Sequence, residues 1–406
     1  MAQVALGTYR MTDLDPNHIA AIRMAVEAGV TLIDTSTNYM DGGAERAIAK
    51  AFQTISDEKA AKVEIVSKFG YVQGSTMQRL TEEVTYNNVV KYADYVWHCI
   101  DIDFMKDQLA HTLARLNRDT IDCYLIHNPE YFLLDAIKRG VPKEERLDEM
   151  LQRIYDAFIG LEEEVKAGRV KSYGISSNSF SKPQKSDEFL PYEDLVTLAQ
   201  KAAKYAGNEK HAFTTLQMPM NLLEQEGMPC AKWAKSKGLR VLVNRPLNAQ
   251  SGSKMYRLAD YDEPRDYYHH LNAVLELFED VEPLQPLYNL ITELDNNKHR
   301  FGWIGDYEQF FHTQIVSHLR QAFASLDDEA RPSVAESLDQ FFEQYAKMVR
   351  YECSKKTREE LESNLQGCEK PMQECAMEFL TANSDVDYVL TGMRKPAYIA
   401  EFTGAT

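Results

Sequence analysis

The chain alternates between two patterns of hydrophobic and polar residues. Short, almost continuous apolar runs such as Ile121–Ile126 are typical of strands in a parallel sheet that is buried on both faces. Other segments, such as His18–Ala28, carry apolar residues at helical spacing, and there Gly29 follows as a helix-ending glycine. The two kinds of run follow one another along the chain. This order predicts repeated strand–helix units and therefore a parallel sheet.

Eight strands are predicted in this way, with helices between them. The predicted strands are Val4–Leu6, Thr31–Asp34, Val63–Ser67, Ile121–Ile126, Val170–Ile175, Phe213–Leu216, Leu239–Val243 and Val386–Leu390. The predicted helices of these units are His18–Ala28, Ala44–Phe52, Asp103–Leu116, Leu147–Ala167, Leu195–Ala206, Cys230–Lys237 and Met372–Ala382. Ionisable residues at strand ends are typical of a (β/α)8 barrel active site. We therefore predict an α/β fold of the (β/α)8 TIM barrel type.

The segment from Ser251 to Glu369 departs from this alternation. It shows no strand pattern, and apolar residues recur at helical spacing over 315–326 and 334–348. Because a helix–strand signal returns afterwards, we predict a large helical insertion between strand seven and the last helix–strand unit. The expected domains are a catalytic barrel over residues 1–250 and 371–406 and an insertion over residues 251–370. Two roles are open for the insertion: a lid on the barrel mouth, or an interaction or dimerisation subdomain.

Charge and cysteine content narrow the classes of partner. The formal net charge of −17 argues against nucleic acid or an anionic membrane as the main partner. The six cysteines form no CxxC pair, which predicts free thiols in a reducing compartment and no metal site. The chain shows neither a signal-peptide pattern nor the roughly 18 apolar residues of a membrane span. We therefore expect a cytoplasmic protein, and its oligomeric state, monomer or homo-oligomer, is undetermined by the sequence.

Four ionisable side chains stand at or beside the ends of neighbouring predicted strands. Asp34 ends strand two, Tyr39 lies in the loop after it, Lys68 follows strand three and His127 follows strand four. Alone, an aspartate at a strand end such as Asp34 is more often a turn or helix-cap residue than a functional one. In a closed barrel, however, these strand ends share one mouth, so we expect the four side chains to converge.

This set of residues is suited to one kind of chemistry. A phenol has a pKa of about 10 in water. A neighbouring lysine ammonium, held charged by a carboxylate, is expected to lower the pKa of Tyr39 toward working pH. A histidine beside it can hydrogen-bond a carbonyl oxygen. The set therefore predicts protonation of an alkoxide as it forms, which is what reduction of a carbonyl by hydride requires.

Short motifs around these residues resemble, in the same order, those of the aldo-keto reductase superfamily. They are Gly7-Thr8-Tyr9, Ile33-Asp34-Thr35 with Tyr39 and Glu45, Val66-Ser67-Lys68, Leu125-Ile126-His127-Asn128-Pro129, Gly174-Ile175-Ser176-Ser177-Asn178, Gln217 and Arg245-Pro246-Leu247. The resemblance covers residues 4–250 and 371–401, that is, everything except the insertion. It implies a (β/α)8 barrel and the NAD(P)-dependent interconversion of carbonyls and alcohols.

The resemblance also implies catalytic roles. Tyr39 would act as the general acid/base, with Lys68 and Asp34 as the pair that tunes it. His127 would orient the substrate, and Tyr9 would be a further substrate-binding residue. The expected partner is a small carbonyl or alcohol compound.

A dinucleotide site is implied by the same resemblance. Ser177, Asn178 and Gln217 would hold the nicotinamide carboxamide, although Ser177 and Asn178 alone also fit a turn and a helix cap. The remaining implied cofactor-binding residues are Gly7, Thr8, Arg245, Pro246, Leu247, Gly392, Met393 and Arg394. Because Arg394 lies in the loop after strand eight, where barrels often bind phosphate, NADP(H) is expected over NAD(H).

Some positions differ from the family pattern. Asn244 and Arg245 stand where the family commonly has an aromatic residue that stacks on the nicotinamide. Tyr398 and Phe402 stand where many members have an arginine and an asparagine near the adenosine 2′-phosphate. Arg394 is then the residue expected to replace them. The chain also ends at Thr406, so we expect the family's long C-terminal substrate loop to be absent.

Other functions are compatible with the same barrel, because fold alone does not decide function. One is a redox-silent regulatory or scaffold protein that binds a dinucleotide. Another is a sugar or alcohol dehydrogenase that works mainly in the oxidative direction. The intact set of Asp34, Tyr39, Lys68 and His127 favours an NAD(P)H-dependent oxidoreductase acting on an aldehyde, ketone or sugar. The sequence does not specify which carbonyl compound is the substrate.

Overall fold

A computed structural model describes residues 1–80 and 85–403 of the chain. The chain forms two compact units. The first consists of Met1–Pro246 together with Phe379–Thr406, and the second of Leu247–Glu378.

The first unit is built on eight parallel strands. They are β1 (Gln3–Gly7), β2 (Leu32–Asp34), β3 (Glu64–Phe69), β4 (Ile121–His127), β5 (Val170–Ser176), β6 (Phe213–Pro219), β7 (Arg240–Asn244) and β8 (Tyr388–Thr391). The strands predicted from continuous apolar runs are thus confirmed, with shifts at their ends. Their middles are buried because a parallel barrel is covered by side chains inside and by helices outside.

The strands close into a barrel in the order β1-β8-β7-β6-β5-β4-β3-β2. This confirms the predicted (β/α)8 fold. The register places Gly7 beside Asp34, His127 beside Ser176, and Ser176 beside Gln217. The carboxyl ends of neighbouring strands therefore meet at one mouth. One buried apolar cluster contains Ala5, Leu32, Val66, Cys123, Leu125, Leu242 and Leu390, each from a barrel strand.

The helices between the strands confirm the predicted alternation. Those of the first unit are Pro16–Glu27, Gly43–Phe52, Asp57–Ala60, Gly74–Gln78, Ile102–Leu116, Tyr131–Lys138, Lys143–Lys166, Leu195–Ala206, Met228–Ser236 and Pro396–Thr403, and Met372–Thr381 spans the boundary between the two units. The helix Tyr131–Lys138 was not predicted. At 8 residues it is too short for the helical period to stand out from its neighbours.

A small antiparallel sheet follows β3. It consists of Tyr71–Val72, Val96–His98 and Val90–Ala93, with Val96–His98 in the middle. In the sequence this segment showed only mixed polar and aromatic residues. Strands this short do not produce a readable alternation. The sheet follows the carboxyl end of β3, so it lies beside the residues expected to form the site.

The second unit is mostly helical. Its helices are Tyr267–Phe278, Gln285–Asn297, Ile304–Phe310, Val316–Ala324 and Arg331–Glu360, with a π-helical turn at Phe311–Ile315 and 3-10 turns at Glu282–Leu284 and Lys298–Arg300. The helices enclose a core of their own that includes Leu271, Ile291, Phe341 and Tyr345. The absence of strands predicted here is wrong, because Asn248–Ser251 and Lys254–Arg257 form an antiparallel hairpin. These strands are polar, so no apolar pattern marked them.

The cysteine prediction needs one correction. Cys368 and Cys375 form a disulfide, with their Cα atoms 6.2 Å apart. The pair was not predicted because its spacing matches no common motif. Cys375 lies in the helix Met372–Thr381, and Cys368 lies in the loop that precedes this helix. Cys99, Cys123, Cys230 and Cys353 are free and buried. Among the described residues, no helix is both long enough and apolar enough to cross a membrane.

Candidate active site

Lys68, at the carboxyl end of β3, is the centre of the predicted site. Its side chain is fully buried, and its Nζ atom donates three hydrogen bonds. The acceptors are Asp34 Oδ2 at 2.8 Å, the Thr35 carbonyl at 2.8 Å and the Tyr39 hydroxyl at 3.2 Å. An ammonium group has three hydrogens and no acceptor. Every donor of Lys68 is therefore used, and the hydroxyl hydrogen of Tyr39 remains available for another acceptor.

Asp34 links Lys68 to Gln217 through its two carboxylate oxygens. Its Oδ2 atom pairs with Lys68, and its Oδ1 atom accepts a hydrogen bond of 2.6 Å from Gln217 Nε2. Burial raises the pKa of Asp34 and lowers the pKa of Lys68, and the attraction between the two charges opposes both shifts. The contact is short and fully hydrogen-bonded, as a buried ion pair requires.

The electrostatics of Tyr39 differ from the sequence-based prediction. Burial raises the pKa of Tyr39 well above its ordinary value, and the nearby Asp34 and Tyr9 raise it further. The predicted lowering by Lys68 is therefore not found, because removal of the phenol from water outweighs a cation that Asp34 already neutralises. Tyr39 is a protonated hydrogen-bond donor at neutral pH. It lies in the loop after β2, with Lys68 Nζ 4.8 Å from its ring centre.

His127 ends β4 and faces the same mouth. Its ring meets the rings of Tyr39 and Tyr71 edge-on, with centroid distances of 6.1 Å and 4.8 Å. Burial lowers the pKa of His127 well below its ordinary value, and Lys68 and His98 lower it further. The imidazole is therefore neutral at physiological pH. The structure thus brings together all four predicted catalytic residues.

Gly70 allows the side chain of His98 to approach the backbone carbonyl of His127. His98 Nε2 lies 2.6 Å from the His127 carbonyl oxygen, which fixes the end of β4. Gly70 has a φ of 149°, and a Cβ atom there would meet both the His127 carbonyl and His98 Nε2 at 2.6 Å. Only glycine fits this close approach. Burial lowers the pKa of His98 to about 4, so His98 is neutral as well.

The side chain of Gln217 is hydrogen-bonded to Ser176, whereas Ser177 contacts Gln217 through the backbone, its N–H donating to the Gln217 carbonyl at 3.0 Å. Ser176 Oγ donates to Gln217 Oε1 at 2.9 Å, and Asn244 Nδ2 lies 3.5 Å from the same oxygen. Asn244 Oδ1 is buried without a hydrogen-bond partner. Sequence reasoning missed Ser176 as a site residue, although its place as the last residue of β5 was a usable signal.

Ser177 and Asn178 face a residue that the sequence analysis did not single out. Ser177 Oγ donates to Glu130 at 2.7 Å, and the Asn178 backbone and side-chain nitrogens donate to the same carboxylate at 2.9 Å and 3.2 Å. Glu130 is 4% exposed, and burial raises its pKa against these hydrogen bonds. Ser177 also accepts from the Ser179 backbone at 3.0 Å. Nothing in the local sequence pattern marked Glu130, because its partners lie in the loop after the next strand.

Of the predicted site residues near β1, Gly7 and Thr8 lie at the end of the strand and Tyr9 is exposed beside Tyr39. Gly7 is the last residue of β1, and the Thr8 hydroxyl donates to the Asp34 carbonyl at 2.9 Å. This bond holds the loop after β1 against the end of β2. Tyr9 is 65% exposed, and its ring lies edge-on to Tyr39 with 5.2 Å between centroids. Tyr9 is thus beside the phenol that it was predicted to accompany.

The predicted residues after β7 and β8 are distributed more widely. Arg245 has a positive φ of 55°, and its guanidinium forms an ion pair of 2.6 Å with Glu224. Pro246 follows it at the end of the first unit's main segment, whereas Leu247 belongs to the second unit. After β8, Met393 is buried, and Gly392 and Arg394 are exposed. Within residues 1–80 and 85–403, no group of three or more potential metal ligands occurs.

Comparison with known proteins gives the relationship of the chain. The model of the Aldo/keto reductase family matches residues 3–406. Methylglyoxal reductase YeaE of Escherichia coli is 26% identical over 166 residues, which is 41% of this chain and 41% of the relative. Aldo-keto reductase YhdN of Bacillus subtilis is 24% identical over 232 residues, which is 55% of this chain and 52% of the relative. The chain thus spans about half the length of these relatives, or less.

Among solved structures, the holo form of aldo-keto reductase AKR11C1 from Bacillus halodurans is similar to this chain. The identity is 14%, the alignment covers 100% of this chain and 87% of the other, and the TM-score is 0.48. The family model matches almost the whole chain, and it confirms the resemblance found in the motifs. The chain belongs to the aldo/keto reductase family.

Proposed function

We propose that the protein is a dinucleotide-dependent oxidoreductase that reduces a carbonyl compound to an alcohol, with Tyr39 as the general acid. One observation supports this most directly. Lys68 Nζ donates its third hydrogen bond to the oxygen of Tyr39, which leaves the phenolic hydrogen to point elsewhere. A carbonyl oxygen in the mouth is the natural acceptor for it. Family membership agrees with this activity.

The residues around Gln217 fit a nicotinamide dinucleotide. Asn244 Oδ1 is a buried acceptor without a partner, and it belongs to the same cluster as Ser176 and Gln217. A buried acceptor of this kind is costly unless a donor such as a carboxamide N–H reaches it. We propose that Ser176, Gln217 and Asn244 hold the carboxamide, in addition to the residues implied by the family pattern. The bound reduced nicotinamide would supply the hydride.

Residues of the chain then provide the proton, stabilise the charge and orient the substrate. Tyr39 donates a hydrogen bond, and then its proton, to the carbonyl oxygen as negative charge develops there. Lys68 stabilises the phenolate that Tyr39 becomes, and Asp34 balances the charge of Lys68 throughout. Because Tyr39 is protonated at neutral pH, it can serve as the proton donor that reduction of a carbonyl requires. His127 orients the substrate from the neighbouring strand.

The proposal is tested by hydride transfer. Purified protein is mixed with NADPH or NADH and a panel of aldehydes, ketones and sugars, and the absorbance of the reduced nicotinamide is followed. Tyr39→Phe removes only the hydroxyl, so it should lower the turnover number by about 10²–10⁴-fold. The melting temperature and dinucleotide affinity should stay near those of the parent protein.

A matched control excludes a general effect of losing a phenol. Tyr205 is 72% exposed on the helix Leu195–Ala206, so Tyr205→Phe should keep full activity. Unchanged hydride transfer in Tyr39→Phe removes Tyr39 from the mechanism. Dinucleotide binding without turnover on any carbonyl contradicts the proposed activity and favours a binding role.

A further inference from the structure

A chain of hydrogen bonds leads from a backbone carbonyl to the imidazole of His127. Gln73 Nε2 donates to the Tyr95 carbonyl at 3.4 Å, and Asn38 Nδ2 donates to Gln73 Oε1 at 3.4 Å. Ser36 Oγ then lies 2.7 Å from Asn38 Oδ1 and 3.1 Å from His127 Nδ1. Ser36 is fully buried, and Gln73 and Asn38 are half-buried.

The direction of each bond in this chain follows from its first member. A backbone carbonyl only accepts, so Gln73 must turn its NH₂ group toward Tyr95 and its oxygen toward Asn38. Asn38 must therefore turn its own NH₂ group toward Gln73 and its oxygen toward Ser36. The 2.7 Å contact between Ser36 Oγ and Asn38 Oδ1 has only one available hydrogen, that of the serine hydroxyl.

This order decides which ring nitrogen of His127 carries the proton. Ser36 gives its single hydrogen to Asn38, and the other acceptor near its hydroxyl is the Lys68 carbonyl at 3.5 Å. The contact from Ser36 Oγ to His127 Nδ1 therefore needs a hydrogen on Nδ1. The buried imidazole is neutral, so it has one ring hydrogen only. Nε2 is then left with a lone pair. Nε2 makes no hydrogen bond to any described residue and is not fully buried, so its lone pair is accessible to a ligand.

We propose that Ser36, Asn38 and Gln73 are positioning residues that hold His127 in the Nδ1–H tautomer, so that Nε2 accepts a hydrogen bond from a substrate hydroxyl. This inference rests on the proposed function for the identity of the reaction. Tyr39 donates to the carbonyl oxygen, and His127 accepts from a hydroxyl nearby. The rings of Tyr39 and His127 are neighbours, with 6.1 Å between their centroids, so one small substrate can contact both side chains. A compound with a hydroxyl group next to its carbonyl group offers both the acceptor and the donor, so the substrate class is an α-hydroxy carbonyl compound.

The tautomer is tested first, on the protein without substrate. Long-range ¹H–¹⁵N correlation spectra of ¹⁵N-histidine-labelled protein distinguish a protonated from an unprotonated ring nitrogen, and His127→Gln identifies the signals among the 10 histidines. The expected result is a protonated Nδ1 and an unprotonated Nε2 in the parent protein. Ser36→Ala removes the acceptor of Nδ1–H, so the proton should move to Nε2. A protonated Nε2 in the parent protein overturns the proposal.

The substrate class is tested by comparing glyceraldehyde with propanal, which lacks the hydroxyl groups. One hydrogen bond should favour glyceraldehyde by about tenfold in kcat/KM. Ser36→Ala should bring this ratio close to one, chiefly through a higher KM for glyceraldehyde, while propanal reduction persists. Equal kcat/KM values in the parent protein, or a preference that survives Ser36→Ala, contradict the proposal.

A control and an independent readout separate the possible failures. Ser172→Ala also removes a barrel hydroxyl, one that donates to the Asp122 carbonyl at 2.9 Å at the opposite end of β5. It should change neither the tautomer nor the substrate preference. If the parent protein reduces no carbonyl compound of the panel, the proposed function fails, and the tautomer spectra still decide whether the hydrogen-bond chain acts on His127. If it reduces other carbonyl compounds but not glyceraldehyde, the function stands and the inferred substrate class is contradicted.

Discussion

Removal of the Lys68 charge tests the buried pair at the centre of the site. Lys68→Met keeps most of the side-chain volume but leaves the Asp34 carboxylate 4% exposed, with Gln217 as its only hydrogen-bonding side chain among the described residues. Breaking a buried pair on one side typically costs about 3–5 kcal/mol. We expect a loss of this size in the free energy of unfolding of the first unit. Asp34→Asn in the Lys68→Met background removes the unpaired charge and should restore most of it.

The stability of Lys68→Met should depend on pH in a direction that the pKa of Asp34 determines. Burial raises the pKa of Asp34, and without Lys68 nothing but Gln217 opposes the shift. The folded-state pKa then lies above the unfolded value of about 4, so the unfolded chain loses the proton first as the pH rises. Stability of Lys68→Met should therefore fall as the pH rises from about 4 through the folded-state pKa. The deficit should be largest at neutral pH and should shrink on acidification, and the double variant should not show this dependence.

The assay must report on the first unit alone. Trp97 and Trp233 lie in that unit and Trp303 in the second. Trp303→Phe thus restricts tryptophan fluorescence to the barrel unit, and all variants are compared in that background by urea unfolding. A loss below about 1 kcal/mol in Lys68→Met, the range of an exposed ion pair, would refute the buried-pair reasoning. So would a double variant no more stable than the single one.

Three further predictions follow from other parts of the molecule. Glu130→Gln replaces a carboxylate that accepts hydrogen bonds from three donors of Ser177 and Asn178. The melting temperature should therefore fall, and dinucleotide binding, measured by fluorescence titration, should weaken. Unchanged binding would show that Glu130 has a structural role only. Arg394→Ala should weaken NADPH binding much more than NADH binding, because a guanidinium recognises a 2′-phosphate, and an equal loss for both would contradict that role. The segment 247–378 has its own apolar core, so, expressed alone, it should be helical by circular dichroism and melt cooperatively, whereas a gradual loss of signal would show that it depends on the first unit.

The sequence by itself determined the barrel and pointed to the residues that meet in the candidate site. A parallel strand buried on both faces is a continuous apolar run, and this local signal survives in the sequence whatever the strand pairs with. Asp34, Lys68 and His127 were found for the same reason, since each stands where such a run ends. The motif order then carried the family resemblance, which the family model confirms.

Weak or short patterns were not readable in this way. The hairpin of Asn248–Ser251 and Lys254–Arg257 is polar, the helix Tyr131–Lys138 is short, and the disulfide of Cys368 and Cys375 has no motif spacing. In each case the element is stabilised by contacts with residues that are its neighbours in space. A short stretch of sequence therefore shows no clear period of apolar residues from which to predict it.

Only the tertiary structure decided the hydrogen-bond partners. Glu130 and Ser177 are 47 positions apart, and Ser36 and His127 are 91 positions apart. Closure of the barrel places the loops of neighbouring strands side by side, and the register between strands selects which side chains meet. Burial likewise reversed the expected pKa shift of Tyr39, because the cost of removing a phenol from water depends on everything packed around it. Sequence fixes which chemical groups a strand end offers, whereas packing sets their protonation and the direction in which each hydrogen points.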